Sequence, residues 1–220
     1  MAKVVIFGVQ DFAQLASFYL RHDSEHEVVA FSVHEDFLPA GRTFEALPVV
    51  AFERVEETYD PSQYSFFAPL SQRRMGRLRE SVYHQIKAKR YSLISYVSSR
   101  ATVFPGVRIG ENCFILEDNT IQPFVEIGND VVLWSGNHIG HHCVIQDHVL
   151  FTSHVVLSGH CVVEPYSFLG VNATVRDQVR IAEGSLIGMA AAVTRDTEPW
   201  GVYKGNPATK GDRLSSELDF

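Results

Sequence analysis

The chain has 220 residues, of which 45% are hydrophobic and 20% charged, with a net charge of −7. That is the composition of a globular protein of one large domain or two small ones, and its acidity argues against a general nucleic-acid binder. No apolar run approaches the roughly 20 residues of a membrane span, MAKVVIFG shows no signal-peptide cleavage pattern, and three cysteines without a CxxC fit a reduced, cytoplasmic chain.

In chain order, residues 1–95 alternate strand-like and helix-like segments. KVVIFG (3–8) reads as a short apolar strand. Residues 9–22 carry Phe12, Leu15, Ala16 and Tyr19 at helical spacing. VVAFSV (28–33) and FFAPL (66–70) read as further strands. SQRRMGRLRESVYHQIKAK (71–89) reads as a basic amphipathic helix with Arg73, Arg74, Arg77 and Arg79 on its positive face. Strands alternating with helices predict a parallel sheet with crossover connections. The stretch is too short for a full dinucleotide-binding domain, so a small βαβ unit is expected.

Residues 98–193 obey another rule. Steps of six back from Val193 reach Ile187, Ile181, Val175 and onward to Ile115, Ile109 and Val103, and all sixteen positions are bulky and apolar. A small or compact residue stands two before each. Neither a helix nor an ordinary strand gives this period. A six-residue repeat builds a β-helix, three hexads to a coil, with the aliphatic residue pointing inward. About five coils are expected. Cys113, Cys143 and Cys161 all fall on the small inward position and are read as core residues. The resulting division is an α/β unit over 1–95, a β-helix over 96–199 and a C-terminal segment over 200–220.

The repeat resembles that of the hexapeptide-repeat acyltransferases, whose prism is a left-handed parallel β-helix. The order of IFGVQDFA, prism and then GVYKGNPA (201–208), with SFLGVNATV (167–175), resembles the sugar acyltransferases of bacterial surface-glycan pathways. These are the N-acetyltransferases of the bacillosamine and perosamine routes and the sialic-acid O-acetyltransferases. The resemblance implies acetyl-CoA as acyl donor, a nucleotide-linked amino-deoxy sugar (UDP or dTDP) as acceptor, a homotrimer, and a role in O-antigen or lipopolysaccharide synthesis.

Six of the ten histidines lie between positions 138 and 160. His142, His148, His154 and His160 are six apart, so successive ones occupy corners of different faces. The spacing predicts that the four do not converge within one subunit, with only His142 and His160 stacked one coil apart, and no metal is expected. His148, His154 and His160 are expected at the surface or a trimer interface. His138 has no family role to map. In the resembled N-acetyltransferases a histidine within V-x-H-[DE]-C-V-I-G is the general base, and that position is His141 in IGHHCVIQ. The resemblance also implies an oxyanion donor one coil onward, at the Gly159 N–H. The sequence departs from the family at His142, where an acidic residue usually follows the base; Asp147 is a candidate substitute. It departs again at Trp134-Ser135, where relatives often have Asn-Thr, which implies a reshaped pocket.

By position in the resembled family, coenzyme A would follow Gly159, Gly170, Val171, Met189 and Ala190, with Lys204 near a coenzyme phosphate. The nucleotide would sit on the N-terminal unit. Only the first glycine of the relatives' G-x-G-x-x-G turn is present, in Gly8-Val9-Gln10-Asp11, and Asp11 opposes a pyrophosphate there. His34, Glu35 and Asp36 stand where relatives grip the base, and Pro69, Leu70 and Ser71 wall the same cleft. The expected activity is therefore N-acetylation of a nucleotide-linked amino sugar. The alternatives are sugar O-acetylation, a metal-dependent hydratase, and a non-catalytic nucleotide-sugar-binding trimer.

Overall fold

The computed structural model describes residues 1–218. The N-terminal unit runs β1 (Lys3–Phe7), α1 (Asp11–His22), β2 (Glu27–Val33), β3 (Thr43–Phe44), β4 (Leu47–Ala51), β5 (Tyr64–Phe67), α2 (Arg77–Ala88) and β6 (Ser92–Leu93). Its sheet has the order β3-β4-β2-β1-β5-β6, parallel except at the β3–β4 hairpin. The chain thus winds outward from β1 on one side and returns to its other side at β5. Ligands of open α/β sheets bind at such reversals, outside the carboxyl ends of the strands. Among the described residues no helix is long and apolar enough to cross a membrane.

Three sequence expectations change here. The strand expected over 66–70 is Tyr64–Phe67. Its successor Ala68 leaves the sheet because Asn112 takes both backbone groups, accepting from the amide at 2.8 Å and donating to the carbonyl at 3.2 Å. The helix expected over 71–89 begins only at Arg77, because Arg74, Met75 and Gly76 adopt φ of 54°, 52° and 79°, against the helical hand. Its positive face is broken too, since Arg79 is fully buried. On α1 the residues packed into the unit's core are Ala13, Ala16 and Leu20. Phe12 and Tyr19 of the predicted stripe face the prism, Phe12 edge-on to Trp134 at 5.5 Å and Tyr19 donating to Glu117 Oε2 at 2.9 Å.

From Tyr96 the chain winds as a left-handed parallel β-helix. Two-residue strands stack in three sheets with an 18-residue register, as in Val132 on Leu150 on Phe168. The first coil starts one hexad before the predicted repeat, at Tyr96–Val97. The inward aliphatics fill the prism together with Cys113, Cys143 and Cys161, all three fully buried. Each corner needs a left-handed residue three positions before the aliphatic. Asn112, Asp118, Asp130 and Asn172 supply it, and so do Gly106, Gly136 and Gly184. His142, His148, His154 and His160 occupy the same slot, with φ of 59°, 62°, 60° and 58°. Asn, Asp and His are the side chains most often found in this region after glycine. The six-residue spacing of these histidines is therefore first a turn requirement. At the far end, Gly201–Lys204 pairs in parallel with Leu186–Ile187 and extends one prism sheet, and Thr209–Leu214 adds antiparallel to it.

The two parts are locked by a buried carboxylate. Asp130, fully buried, accepts from Arg79 Nε at 2.9 Å, Asn112 Nδ2 at 2.7 Å and His148 Nδ1 at 2.8 Å. The Arg79 guanidinium also donates to the Leu70, His148 and Val149 carbonyls and to Gln72. His148, expected at the surface or a trimer interface, is instead turned inward within the subunit and only 5% exposed for this reason. Breaking a buried pair by removing one partner costs about 3–5 kcal/mol, because the other charge stays buried. Arg79→Leu should lose stability on that scale in urea unfolding. Asp130→Asn on that background should recover part of it.

A second tie is more exposed. Asp23, at the end of α1, accepts from Tyr96 Oη at 2.6 Å, Ser99 N at 2.9 Å and Ser98 Oγ at 3.1 Å. Hydrogen bonds from Ser99 and Tyr96 hold its carboxyl down at about 2. The unfolded carboxyl titrates near about 4. Its contribution is therefore full above about pH 4 and lost as pH falls through about 2. Asp23→Asn should cost about 1 kcal/mol at neutral pH and flatten the loss of stability between about pH 4 and 2, read by denaturation at a series of pH values.

Candidate active site

The hexad register decides which histidines meet. His142 and His160 hold the same corner slot in adjacent coils, and their rings stack at 4.7 Å and 15°. Phe124, one coil earlier, covers the other side of His142 at 4.6 Å and 36°. His141 precedes this stack by one residue. Its Nδ1 lies 3.0 Å from His142 Nδ1, and its ring stands edge-on to His160 at 5.0 Å. Its amide donates to Gln122 Oε1 at 2.9 Å, which fixes the backbone. His142 stacks on His160 as the spacing predicts, and the six-residue series as a whole does not converge. What the spacing did not foresee is His141, which joins the pair so that one ring nitrogen from each of His141, His142 and His160 lies within 4.8 Å of the others.

Gly159, eighteen residues after His141, lies directly under its ring. A Cβ at Gly159 would sit 2.8 Å from His141 Cε1 and 3.0 Å from Nε2. A side chain there would displace the imidazole, so glycine is needed for close approach. The Gly159 carbonyl accepts from Gln178 N at 2.9 Å, whereas its N–H makes no hydrogen bond among the described residues. An imidazole with an open Nε2 thus stands beside an open backbone donor. The direction of the His141–His142 bond sets the chemistry. When His141 donates from Nδ1, its Nε2 carries a lone pair and can accept a proton.

The remaining predicted coenzyme residues lie at a second corner of the prism. Gly170 packs against the backbone of Met189, where a Cβ would come within 2.6 Å of its amide, and Val171 O accepts from Ala190 N at 2.8 Å. Lys204, exposed, lies beside Gly188 at this corner. Between the two corners runs the face made by His138–Ile139, Val156–Leu157, Thr174–Val175 and Ala192–Val193. Val156, Val171 and Met189 are exposed on it or at its margin, Met189 by 77%.

Asp147 does not replace the missing acid. Its Oδ1 accepts from Asn129 N at 2.7 Å at another corner. His154 packs over Gly136, away from the stack. Trp134 meets Phe12 of α1, and the adjacent Ser135 donates to Glu117 Oε1 at 2.7 Å. The unusual Trp-Ser pair therefore fills the seam between the two parts of the chain.

On the α/β unit, Gly8 (φ 118°) turns out of β1 with its amide on Ser32 O at 2.9 Å. A Cβ on Gly8 would lie 3.8 Å from Leu70, so the turns after β1 and β5 adjoin. Pro69 is buried behind Leu70. Val9 packs on the core, Gln10 is the N-cap of α1 without a side-chain cap, and Asp11 opens the helix, exposed. His34 Nδ1 binds Glu53 Oε1 at 2.9 Å with its ring edge-on to Phe7 and Phe52. Glu35 and Asp36 are both exposed, but Glu35 is engaged by Arg54 at 2.7 Å, which leaves Asp36 as the carboxylate of that loop without a partner among the described residues. Phe124 and Gln122 were not singled out as contacts of the histidine pair. The signal was present, since positions 124, 142 and 160 share one slot at 18-residue steps.

The comparisons with known proteins follow the geometry. A profile for the bacterial transferase hexapeptide (six repeats) matches residues 106–138. Among curated protein sequences none gives a significant match. The acetyltransferase domain of PglB from Neisseria gonorrhoeae FA1090 is similar in structure, with TM-score 0.83 and 19% identity over 96% of this chain and 100% of that one. So is a histidine variant of perosamine N-acetyltransferase from Caulobacter crescentus, in complex with CoA and GDP-perosamine, with TM-score 0.84 and 22% identity over 97% and 98%. WeeI from Acinetobacter baumannii AYE gives 0.80 and 19% over 96% and 100%.

Gly159→Ala is predicted to push the His141 ring aside and break its bond to His142. The imidazole 15N resonances of both residues should shift, with the melting temperature changed by only a few degrees. Unchanged resonances would show that the ring does not rest on Gly159. The chain thus carries the bacterial transferase hexapeptide over residues 106–138 and, over nearly its whole length, the fold seen in the PglB acetyltransferase domain and in perosamine N-acetyltransferase.

Proposed function

We propose that the chain is an acetyl-CoA-dependent N-acetyltransferase for an amino-deoxy sugar carried on a nucleotide. It acts as a cytoplasmic homotrimer in the synthesis of a bacterial surface polysaccharide such as an O-antigen. The observation that carries the reading is the His141–Gly159 pair: an open imidazole Nε2 and an open backbone N–H, one coil apart. Support comes from the similar structures, one bound to acetyl coenzyme A and one to CoA with GDP-perosamine.

Acyl transfer from a thioester to an amine needs a base, an oxyanion donor and alignment of the partners. The sugar amine attacks the thioester carbonyl carbon. The carbonyl oxygen becomes an oxyanion, which the Gly159 N–H stabilises. His141 Nε2 takes the proton that the amine loses, and collapse of the adduct expels the coenzyme thiolate. His142 accepts from His141 Nδ1–H and so fixes the tautomer. It supplies no negative charge to steady the imidazolium, which suits an amine better than a hydroxyl of far higher pKa. The coenzyme lies along the face margined by Gly159, Gly170, Val171, Met189 and Ala190, with Lys204 near its phosphates. A neighbouring subunit covers that apolar face. The nucleotide occupies the sheet reversal at Gly8, Val9, Gln10, Pro69 and Leu70. The His34, Glu35 and Asp36 loop flanks its base, and Trp134 lies toward the sugar.

The test is thiol release from acetyl-CoA with UDP-, dTDP- and GDP-linked 3-amino and 4-amino sugars, with hydroxyl sugars as controls. One amino sugar should turn over, and His141→Asn should lower kcat by about 10²–10⁴-fold. Turnover of hydroxyl sugars alone would replace N- by O-acetylation. Full activity of the variant would remove His141 from the mechanism.

A further inference from the structure

The histidine cluster has a property that acyl transfer does not use. His141, His142 and His160 present three imidazoles, and one ring nitrogen from each lies within 4.8 Å of the other two. Two of these nitrogens are already 3.0 Å apart. Zinc–nitrogen bonds of about 2.0–2.1 Å in a tetrahedral site place ligand nitrogens about 3.3–3.4 Å apart. The cluster needs only ring rotations to reach that spacing. All three residues are exposed, so the rings have room to turn. Their backbones do not move, because His160 N donates to His141 O at 2.9 Å and His141 N is held by Gln122. The three ligands are therefore pre-positioned by the coil register. Three neutral nitrogens and a water make a ligand set for zinc, whereas magnesium and calcium prefer oxygen.

We propose that these three histidines form a zinc site, and that zinc there switches the enzyme off reversibly. The inhibition rests on the reading of His141 as base. A metal held on His141 Nδ1 takes the place of the proton shared with His142 and leaves the ring proton on Nε2, so that nitrogen can no longer accept a proton from the sugar amine. The binding itself rests only on the three side chains.

The experiment uses the full chain without an affinity tag and titrates it with zinc against a chromophoric chelator, with magnesium as control. Variants are His160→Phe, which keeps an aromatic ring on His142 but removes a ligand, and His84→Gln. Phe is tolerated in this corner slot, since Phe124 occupies it at φ 66°. His84→Gln controls for the separate cluster of Glu80, His84 and His148. Wild type and His84→Gln should bind zinc tightly and magnesium weakly, and His160→Phe, which loses a direct ligand, should bind zinc more weakly by at least the roughly 10–100-fold that loss of a ligand's hydrogen-bond partner costs. Zinc should stop acetyl transfer at the concentration that fills the site, and EDTA should restore it. Whatever turnover His160→Phe retains should be insensitive to zinc at the concentration that stops the wild type. Zinc binding by His160→Phe equal to wild type would overturn the site, as would loss of binding in His84→Gln. Cluster-dependent binding with undiminished turnover would overturn the inhibition and, with it, the role of His141 as base. If no sugar is acetylated at all, the proposed function fails, while the zinc titration still decides the site.

Discussion

The left-handed corner, repeated every six residues, is the constraint on which the rest depends. A chain that turns after every short strand must place one residue per hexad at positive φ. That requirement favours Asn, Asp, Gly and His, though Phe124, Tyr166, Gln178 and Ala190 also meet it, and it sets the side chains in columns of 18-residue period along the prism edges. Columns bring together residues that sequence separates. Phe124, His142 and His160 form one such column. Asn112, Asp130 and His148 form another, and it is the seat of the α/β unit. The candidate chemistry and the domain docking are thus two uses of the same corner geometry.

The docking column has a definite cost and a definite purpose. Burying Asp130 would be unfavourable alone, but three donors satisfy it and Arg79 balances its charge. Arg79 comes from α2, and the Leu70 carbonyl it holds lies beside the Gly8 turn. The same network therefore fixes the carboxyl end of the small sheet relative to the prism. Phe12 on Trp134 and Asp23 on the first coil set the other side of that seam. The site proposed across both parts would depend on this rigidity, because misplacing reacting groups by an ångström is expensive in rate.

At the candidate base, an imidazole stands where a carboxylate would be the stronger partner. A neutral His142 can fix the tautomer of His141 and hold its ring over Gly159, but its effect is orientation rather than charge. The stack of Phe124 and His160 around His142 supplies the ring restraint. The same exchange creates a cluster of nitrogen ligands with no carboxylate among its members.

The hexapeptide period, the inward aliphatics and the buried cysteines were determined by sequence alone, because a one-dimensional repeat stacks in only one way. The βαβ start of the chain was legible for the same kind of reason, in alternating periods. The sequence failed wherever a contact crossed from one part of the chain to the other. Asn112 ended β5 early, the turn at Arg74–Gly76 delayed α2, and Arg79 left a supposed basic face to meet Asp130. His148 went inward with it, and Asp147 went to Asn129. The meeting of His141, His142 and His160 was half visible: the period stacks 142 on 160, but only the folded corner turns 141 onto both. Periodicity fixes which residues share a column, whereas the direction of each ring depends on neighbours that only the tertiary structure supplies.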